Sequence, residues 1–391
     1  MRALKLQFFL LFGSLASVQP YVALLFRERG MDAEDIGYSL GMAGWAIVLS
    51  PALITLIADT RMSPRRLVTV LSLCTGFALL ALLWAQTYWA LTAFYFLYSL
   101  GVTAMIPLQD GITFGVQKMR QEEAGPELHY NQIRVWGTVG YMALLVMLFY
   151  PIKLSGSVTL GVWFGIGCFA LLAFNAMALP DRGRRETAKR AQGLPTSDAL
   201  KALLGKDTLF FSASMFLLLA CSAAYHTMYP VYLAEDLGLA RHWVGIVIMS
   251  GALLEVYFIV KLSTWQRRWG HRAVMLAGIW LTILRFALMF AFPNLPVAIG
   301  TQVFHGAMIC SMMVIPPTYI NGLATESNRN SIQGVYTMLI IGVSRFVGTA
   351  LSGHVASVDQ RHVYLLCAAL SVAALGFMWK GFRPEVVQEP A

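Results

Sequence analysis

The chain has 391 residues, of which 58% are hydrophobic and 13% are charged, and its net charge is +9. A soluble protein of this size carries about twice that share of charged residues, so the composition excludes a water-soluble globular protein. The positive charge does not indicate nucleic-acid binding, because the basic residues cluster in short segments between long apolar runs. This pattern is typical of a membrane protein with many spans.

Twelve apolar runs follow one another along the chain, each of about 20 residues, the length that spans a bilayer. Glycine and proline inside these runs do not argue against helix, because neighbouring helices in a membrane satisfy the backbone groups that those residues free. The sequence therefore predicts an all-α membrane protein with twelve transmembrane helices. We place the runs at 5–27, 35–58, 67–86, 89–117, 132–152, 157–179, 207–233, 242–264, 272–292, 295–323, 331–355 and 362–380.

The longest polar stretch, Pro180–Asp207, divides the chain in two. We predict an N-terminal six-helix bundle at 1–180, a linker with a short amphipathic helix at 181–206, and a C-terminal six-helix bundle at 207–391. Most of the 29 Lys and Arg residues lie in this linker, at the termini and in loops on the same side. The positive-inside rule places that side in the cytoplasm. We therefore expect a multi-pass inner-membrane protein with both termini cytoplasmic.

Short motifs of the first half recur in the second half at a shift of about 208–211 residues, which indicates an internal duplication. "GMDAEDIG" is matched by "GLARHWVG", "MIPLQD" by "VIPPTY", and "RVWGT" at Arg134 by "RFVGT" at Arg345. Parallel repeats of this kind place a substrate site near the membrane midplane, between the two halves. Arg345 lies beside Gly348, and we expect it to serve helix packing or gating.

These features resemble the major facilitator superfamily over essentially the whole chain, with twelve spans, a central cytoplasmic loop and a half-chain repeat. "PLQD" followed by "IRVWGTVGY" resembles the proton-symporter branch that contains nucleoside–proton symporters, phenylpropionate transporters and lactose permease. "IWLTILRFALMF" and "SPALITLIAD" are most similar to the nucleoside symporters, whereas "QVFHG" is more similar to the phenylpropionate group, so the sub-branch stays open. The resemblance implies the major facilitator fold and transport by alternating access.

The resemblance also implies roles for particular residues. It makes Glu255, in the eighth span, a candidate for substrate and proton handling. Met308 stands where lactose permease has a glutamate, so proton coupling must use another acid. "ADTRMSPRR" resembles a degenerate form of the superfamily's loop motif, and we expect its Asp59, Arg61 and Arg65 to gate the transporter as a cytoplasmic charge latch. The implied substrate-binding residues are Arg134, Asp110, Tyr141, Thr138 and His305.

Charged residues inside apolar spans are costly and usually functional, but each one also has a structural alternative. Arg134 and Asp110 lie on consecutive spans and either bind substrate or form a structural ion pair. Arg285, in the ninth span, can pair with Glu255 and help it release a proton, or it serves structure alone. His305 either titrates and binds substrate or is a satisfied core histidine.

No Walker A motif is present, so no ATP site is visible, and all five cysteines lie in apolar runs without metal-ligand spacing. We therefore expect no cofactor, no metal and no enzymatic activity. The predicted function is a monomeric secondary transporter for proton-coupled uptake of a small polar organic solute, such as a nucleoside, an aromatic acid or a sugar. Its expected partners are that solute, H⁺ and the bilayer. Alternatives of the same fold are a proton-driven exporter and a siderophore transporter; alternatives of another class are a non-transporting receptor and a polytopic membrane enzyme.

Overall fold

The computed structural model describes residues 1–58, 63–122, 129–179, 197–206, 208–323 and 329–382, and the regular elements in these ranges are all helical. The prediction of an all-α protein is confirmed. The helices are α1 (Arg2–Glu28), α2 (Ala33–Ala58), α3 (Pro64–Trp84), α4 (Tyr88–Glu122), α5 (Tyr130–Ser155), α6 (Thr159–Ala176), α7 (Ser197–Leu204), α8 (Leu209–Val231), α9 (Arg241–Trp269), α10 (His271–Ala291), α11 (Leu295–Leu323), α12 (Ser331–Val358) and α13 (His362–Gly381).

The helix lengths agree with a protein that crosses the membrane many times. Among the described residues, eleven helices are long and apolar enough to span a bilayer. α2 has 26 residues, which is also sufficient for a span because about 20 helical residues cross the hydrocarbon core. The short helix α7 has eight residues and is not a span.

Local sequence signals determine several helix ends. The side chain of Asp32 accepts a 2.8 Å hydrogen bond from the backbone N–H of Asp35 and so caps the start of α2. Pro64 occupies the first position of α3, where a backbone N–H would have no helical partner. Gly156 caps the C-terminal end of α5, and its φ of 69° is the left-handed conformation that glycine adopts without strain. A single residue, Gly270 with φ of 82°, separates α9 from α10.

The first of two compact units comprises Met1–Gly30 and Leu49–Gln192. Within it, α1 packs along α5 and α6, and α3 packs against α4 and α6. Gly140 of α5 lies so close to the backbone of Phe9 in α1 that a Cβ atom would not fit. A glycine therefore allows the backbones of α1 and α5 to touch, as is common between membrane helices.

The second unit comprises Met31–Val48 and Gly193–Ala391. Within it, α8 packs along α12 and α13, α10 packs along α13, and α9 packs against α11. Gly348 of α12 touches the backbone of Ala220 in α8. This contact repeats the glycine-mediated contact of α5 with α1, and it agrees with the predicted internal duplication and with close packing beside Arg345.

The first half of α2 belongs to the second unit because it packs directly on α12. Gly37 faces the backbone of Gly353, which leaves no space for a side chain at either position. The ring of Trp45 lies 5.7 Å from the ring of Phe346. The predicted boundaries of the two halves and the linker stay a prediction.

The predicted linker contains the short helix α7, as expected. Ala199 and Leu203 form its buried side. The Ser212 hydroxyl of α8 donates a 2.6 Å hydrogen bond to the carbonyl of Leu203. The amphipathic pattern of α7 thus attaches its apolar side to the second unit.

α11 departs from regular α-helix in its middle. Thr301–Phe304 is a 3₁₀ turn, His305–Ile309 is α-helical, and Cys310–Val314 is π-helical. Pro316 and Pro317 explain part of this, since they lack the N–H groups that would bond carbonyls one turn earlier. Such departures often mark functional sites, and this one adjoins a buried polar cluster.

Candidate functional site

The guanidinium of Arg134 lies against aromatic rings in the first unit. Its carbon is 4.0 Å from the centroid of the Phe12 ring and 5.7 Å from that of Phe8, both in α1. Cation–π contacts of this kind contribute about 0.5–2 kcal/mol. Gly137 leaves room for the group, because an added Cβ would lie 2.8 Å from Arg134 Nη1. The rings orient the guanidinium but do not accept strong hydrogen bonds, so its donors remain suited to a polar ligand.

Asp110 of α4 has a different partner from the one considered in the sequence. The Tyr130 hydroxyl donates a 2.7 Å hydrogen bond to Asp110 Oδ1, and the Tyr130 ring stacks on Phe114 at 4.8 Å. In the part of the chain that the structure describes, no ion pair joins Asp110 to Arg134. α4 presents the carboxylate to Tyr130, while α5 turns the arginine towards the rings of α1, and the roles of both residues stay a prediction.

Arg134, Thr138 and Tyr141 follow one another in α5 at spacings of four and three residues, so they share one side of the helix. All three are partly exposed, whereas Gly137 and Gly140 beside them are buried. The structure thus brings three predicted substrate-binding residues to one helix side. Their roles stay a prediction.

A buried arginine organises a polar cluster in the second unit. Arg285 of α10 is fully buried. Its Nη2 donates hydrogen bonds to Tyr225 Oη of α8 at 2.5 Å and to Gln302 Oε1 of α11 at 3.0 Å, and its Nη1 lies 3.1 Å from His305 Nδ1. The guanidinium carbon also lies 4.3 Å from the centroid of the Tyr225 ring. Three helices therefore converge on one cation.

Further hydrogen bonds connect the neutral members of this cluster. Gln302 Nε2 donates to the Tyr225 hydroxyl at 3.2 Å and to the Tyr229 hydroxyl at 2.9 Å. Tyr229 in turn donates to the carbonyl of Ala298 at 2.9 Å. Gly251 of α9 makes space for the cluster, because a Cβ there would lie 2.5 Å from Gln302 Oε1. Such connected networks hold buried polar groups in one arrangement.

Glu255 of α9 meets this cluster through a histidine. Its carboxylate oxygen lies 3.9 Å from His305 Nε2, and its side chain is 30% exposed. Arginine can only donate hydrogen bonds, so Arg285 requires His305 Nδ1 to accept, which leaves the proton of the neutral ring on Nε2, facing Glu255. Among the described residues His305 lies between the two charges, and the proton-coupling roles of Arg285 and Glu255 stay a prediction.

His226 of α8 is a second histidine near the cluster. Its ring centroid lies 5.7 Å from that of His305. Its Nδ1 lies 2.7 Å from the carbonyl of Ser222, one turn earlier. A carbonyl only accepts, so this nitrogen carries a proton and His226 is fixed as a donor to its own helix.

Three members of the cluster were missed by reasoning from the sequence: Tyr225, Tyr229 and Gln302. Each is uncharged, and an uncharged polar side chain in an apolar span costs less to bury than a charged one and so attracts less attention. The spacing carried a usable signal. Tyr225 and Tyr229 are four residues apart, and Gln302 and His305 three apart, so each pair shares one helix side.

The predicted gating residues are placed only in part. Asp59 and Arg61 lie outside the described residues. Arg65 lies in the first turn of α3, and Arg345 is partly exposed on α12. Among the described residues, no group of three His, Cys, Asp or Glu side chains is placed to hold a metal ion. The gating roles stay a prediction.

Long apolar helices, repeated helix contacts and charged side chains buried within the helices are typical of a polytopic membrane transporter. The model of the MFS_1-like family matches residues 1–379, and the chain belongs to that family. The nucleoside permease NupG of Escherichia coli K12 is 24% identical, over 95% of this chain and 92% of its own length. The "Probable 3-phenylpropionic acid transporter" of the same organism is 26% identical, over 99% and 98%.

A solved structure supports the same fold. The crystal structure of the nucleoside transporter NupG matches with a TM-score of 0.83 and 21% identity, covering 97% of this chain and 99% of that one. The predicted superfamily and its fold of twelve helices in two six-helix bundles are therefore confirmed. These relatives and this solved structure are transporters, and the expectation that the protein is not an enzyme is confirmed. It is a multi-pass inner-membrane transporter of a small molecule.

Proposed function

We propose that the protein is a proton-coupled importer of a small polar organic solute, and that Glu255 carries the coupled proton. The observation that supports this proposal most is the chain Arg285–His305–Glu255, with a 3.1 Å step on one side of the histidine and a 3.9 Å step on the other. This chain links the partly exposed Glu255 to the fully buried Arg285 through the imidazole ring of His305, which can hold a proton on either nitrogen.

Glu255 has the features that a proton carrier needs. It is the one acidic residue between Asp236 and Glu326 in the sequence, so no second carboxylate of that segment competes for the proton. Its partial exposure allows a proton to enter and leave. When Glu255 is ionised, the N–H of His305 and the charge of Arg285 stabilise it; when it is protonated, the cluster around Arg285 is still satisfied by Tyr225 and Gln302.

Arg134 is proposed to bind the solute. In the described residues its guanidinium contacts rings and not a carboxylate, so its forked donors suit a hydroxyl, carbonyl or carboxylate of a ligand. Thr138 and Tyr141 on the same helix side add a hydroxyl and a ring. Relatives named for nucleosides and for 3-phenylpropionic acid make nucleosides and aromatic acids the first solutes to test.

Cytoplasmic termini and a monomeric state are proposed with this function.

Transport by purified protein in proteoliposomes tests the proposal. Solutes are first chosen by their ability to raise the melting temperature of the wild type but not of Arg134→Ala. With an inward proton gradient, the wild type should accumulate the solute, whereas Glu255→Gln should exchange labelled for unlabelled solute but not accumulate it. Glu235→Gln, which removes an acid from the π-helical turn Tyr232–Asp236 that follows α8, serves as the control and should accumulate normally.

Two outcomes contradict the proposal. Accumulation by Glu255→Gln that still follows the proton gradient would show that this carboxyl does not carry the proton. Movement of solute out of the proteoliposomes against an inward proton flux through the wild type would identify an exporter.

A further inference from the structure

The second unit carries an excess of positive charge where α9 ends and α10 begins. Residues 256–358 contain seven Lys and Arg but one acid, Glu326. Three of these cations, Arg267, Arg268 and Arg272, lie within six positions of the sequence. Arg267 and Arg268 are exposed in the last turn of α9, and in the described residues neither forms an ion pair.

The C-terminal end of α13 lies beside these arginines. Arg272 in the first turn of α10 donates a 2.7 Å hydrogen bond from Nη2 to the carbonyl of Trp379. Its guanidinium carbon also lies 5.5 Å from the centroid of the Trp379 ring. Lys380, the next residue, is exposed. The ends of α9, α10 and α13 therefore form one surface, which we call the basic–aromatic patch and define by Arg267, Arg268, Trp269, Arg272, Trp379 and Lys380.

Exposed tryptophans place the patch at the bilayer surface. Trp269 is 56% exposed and Trp379 is 60% exposed. Trp269 stacks on Trp265 at 6.3 Å, and Tyr257 packs on Trp265 at 6.3 Å along the same helix. Tryptophan concentrates at the level of the lipid headgroups, where its ring meets acyl chains and its N–H meets water. The cations of the patch thus lie at the depth of lipid phosphates.

We propose that the basic–aromatic patch binds the headgroup of an anionic glycerophospholipid. Arg267, Arg268 and Lys380 supply the charge, and Arg272 holds the Trp379 ring in place beside them. Basic clusters at the cytoplasmic ends of membrane helices attract anionic lipids, and this end of the unit is the one that the sequence predicts to be cytoplasmic. The bound lipid lies against the exposed ring faces, with its phosphate among the three cations.

Quenching of tryptophan fluorescence by brominated lipid measures this binding directly. The full-length protein is placed in phosphatidylcholine nanodiscs that contain a small share of either brominated phosphatidylglycerol or brominated phosphatidylcholine. The signal of the two patch tryptophans is obtained by subtracting the signal of the variant Trp269→Phe/Trp379→Phe. The anionic lipid should quench this signal more strongly than the neutral lipid at the same mole fraction.

Two triple variants separate a local site from general charge attraction. Each cation near an anionic surface strengthens attraction about fivefold, so the loss of three cations in Arg267→Gln/Arg268→Gln/Lys380→Gln should weaken the preference for the anionic lipid by about a hundredfold. The control Arg2→Gln/Arg66→Gln/Arg120→Gln removes the same charge from the first unit and should leave the preference unchanged. Equal quenching by both lipids in the wild type, or equal losses in the two triple variants, would overturn the proposal. Loss of the preference on adding inorganic phosphate, but not on adding sodium chloride to the same ionic strength, would also overturn it, because the surface would then bind free phosphate instead.

Discussion

Two tyrosines of the second unit offer a matched test of the buried cluster. Tyr225 and Tyr364 are both fully buried. The Tyr225 hydroxyl accepts hydrogen bonds from Arg285 and Gln302, whereas the Tyr364 hydroxyl has no hydrogen-bond partner among the described residues. Replacing either tyrosine by phenylalanine removes one oxygen and preserves the ring. The two variants therefore differ in the partners that the lost hydroxyl had.

The expected magnitudes follow from those partners. A hydrogen bond to a charged group contributes about 1.5–3 kcal/mol to stability. Arg285 Nη2 and Gln302 Nε2 each retain another partner in Tyr225→Phe, so we expect the free energy of unfolding to fall by about 1.5 kcal/mol. In Tyr364→Phe an unpaired buried hydroxyl is removed, and the variant should be unchanged or more stable by about 1 kcal/mol.

Thermal unfolding of the purified protein, followed with a thiol-reactive dye, measures the difference. One kcal/mol shifts the midpoint by about 2–4 °C for a domain of 150–250 residues, so Tyr225→Phe should melt several degrees below Tyr364→Phe. Equal midpoints for the two variants, or a lower midpoint for Tyr364→Phe, would refute the hydrogen-bond cluster as a source of stability.

Two further predictions concern helix packing and the solute. Gly348→Ala should lower the melting midpoint, because the added methyl group collides with the backbone of Ala220. Gly376→Ala, where the methyl group meets no other atom, should raise the midpoint, since alanine favours helix by about 1 kcal/mol over glycine. The reverse order of the two midpoints would contradict the close contact of α8 and α12. Arg134→Lys preserves the charge but loses the planar fork and its stacking on Phe12, so KM in solute counterflow should rise about tenfold with little change in the maximal rate; an unchanged KM would count against solute binding by Arg134.

The spans and the important charges could be predicted from the sequence because each stands out in its own stretch. Long apolar runs predict helices, and a lone Arg285 or Glu255 inside such a run is conspicuous. The identity of each partner could not be predicted. Arg134 contacts Phe12 and not Asp110, and this choice depends on which helices are neighbours and on side-chain rotamers.

The shape of α11 illustrates the same limit. Pro316 and Pro317 predict some disturbance of the helix, because two N–H donors are missing. They do not predict that a 3₁₀ turn precedes His305 and a π turn follows Ile309. The same stretch of α11 supplies Gln302 and His305 to Arg285, and these contacts join helices whose pairing no local pattern predicts.

The one-residue turn at Gly270 also sets the level of two side chains. Glu255 precedes it by fifteen positions and Arg285 follows it by fifteen, so α9 and α10 are arms of equal length up to those residues. At 1.5 Å per residue, each residue lies about 22 Å from the turn. Glu255 and Arg285 therefore lie at the same depth in the membrane. Inserting one alanine after Gly270 would lengthen α10 but not α9. It would rotate Arg285 by about 100° around the axis of α10 and away from the His305 ring that connects it to Glu255.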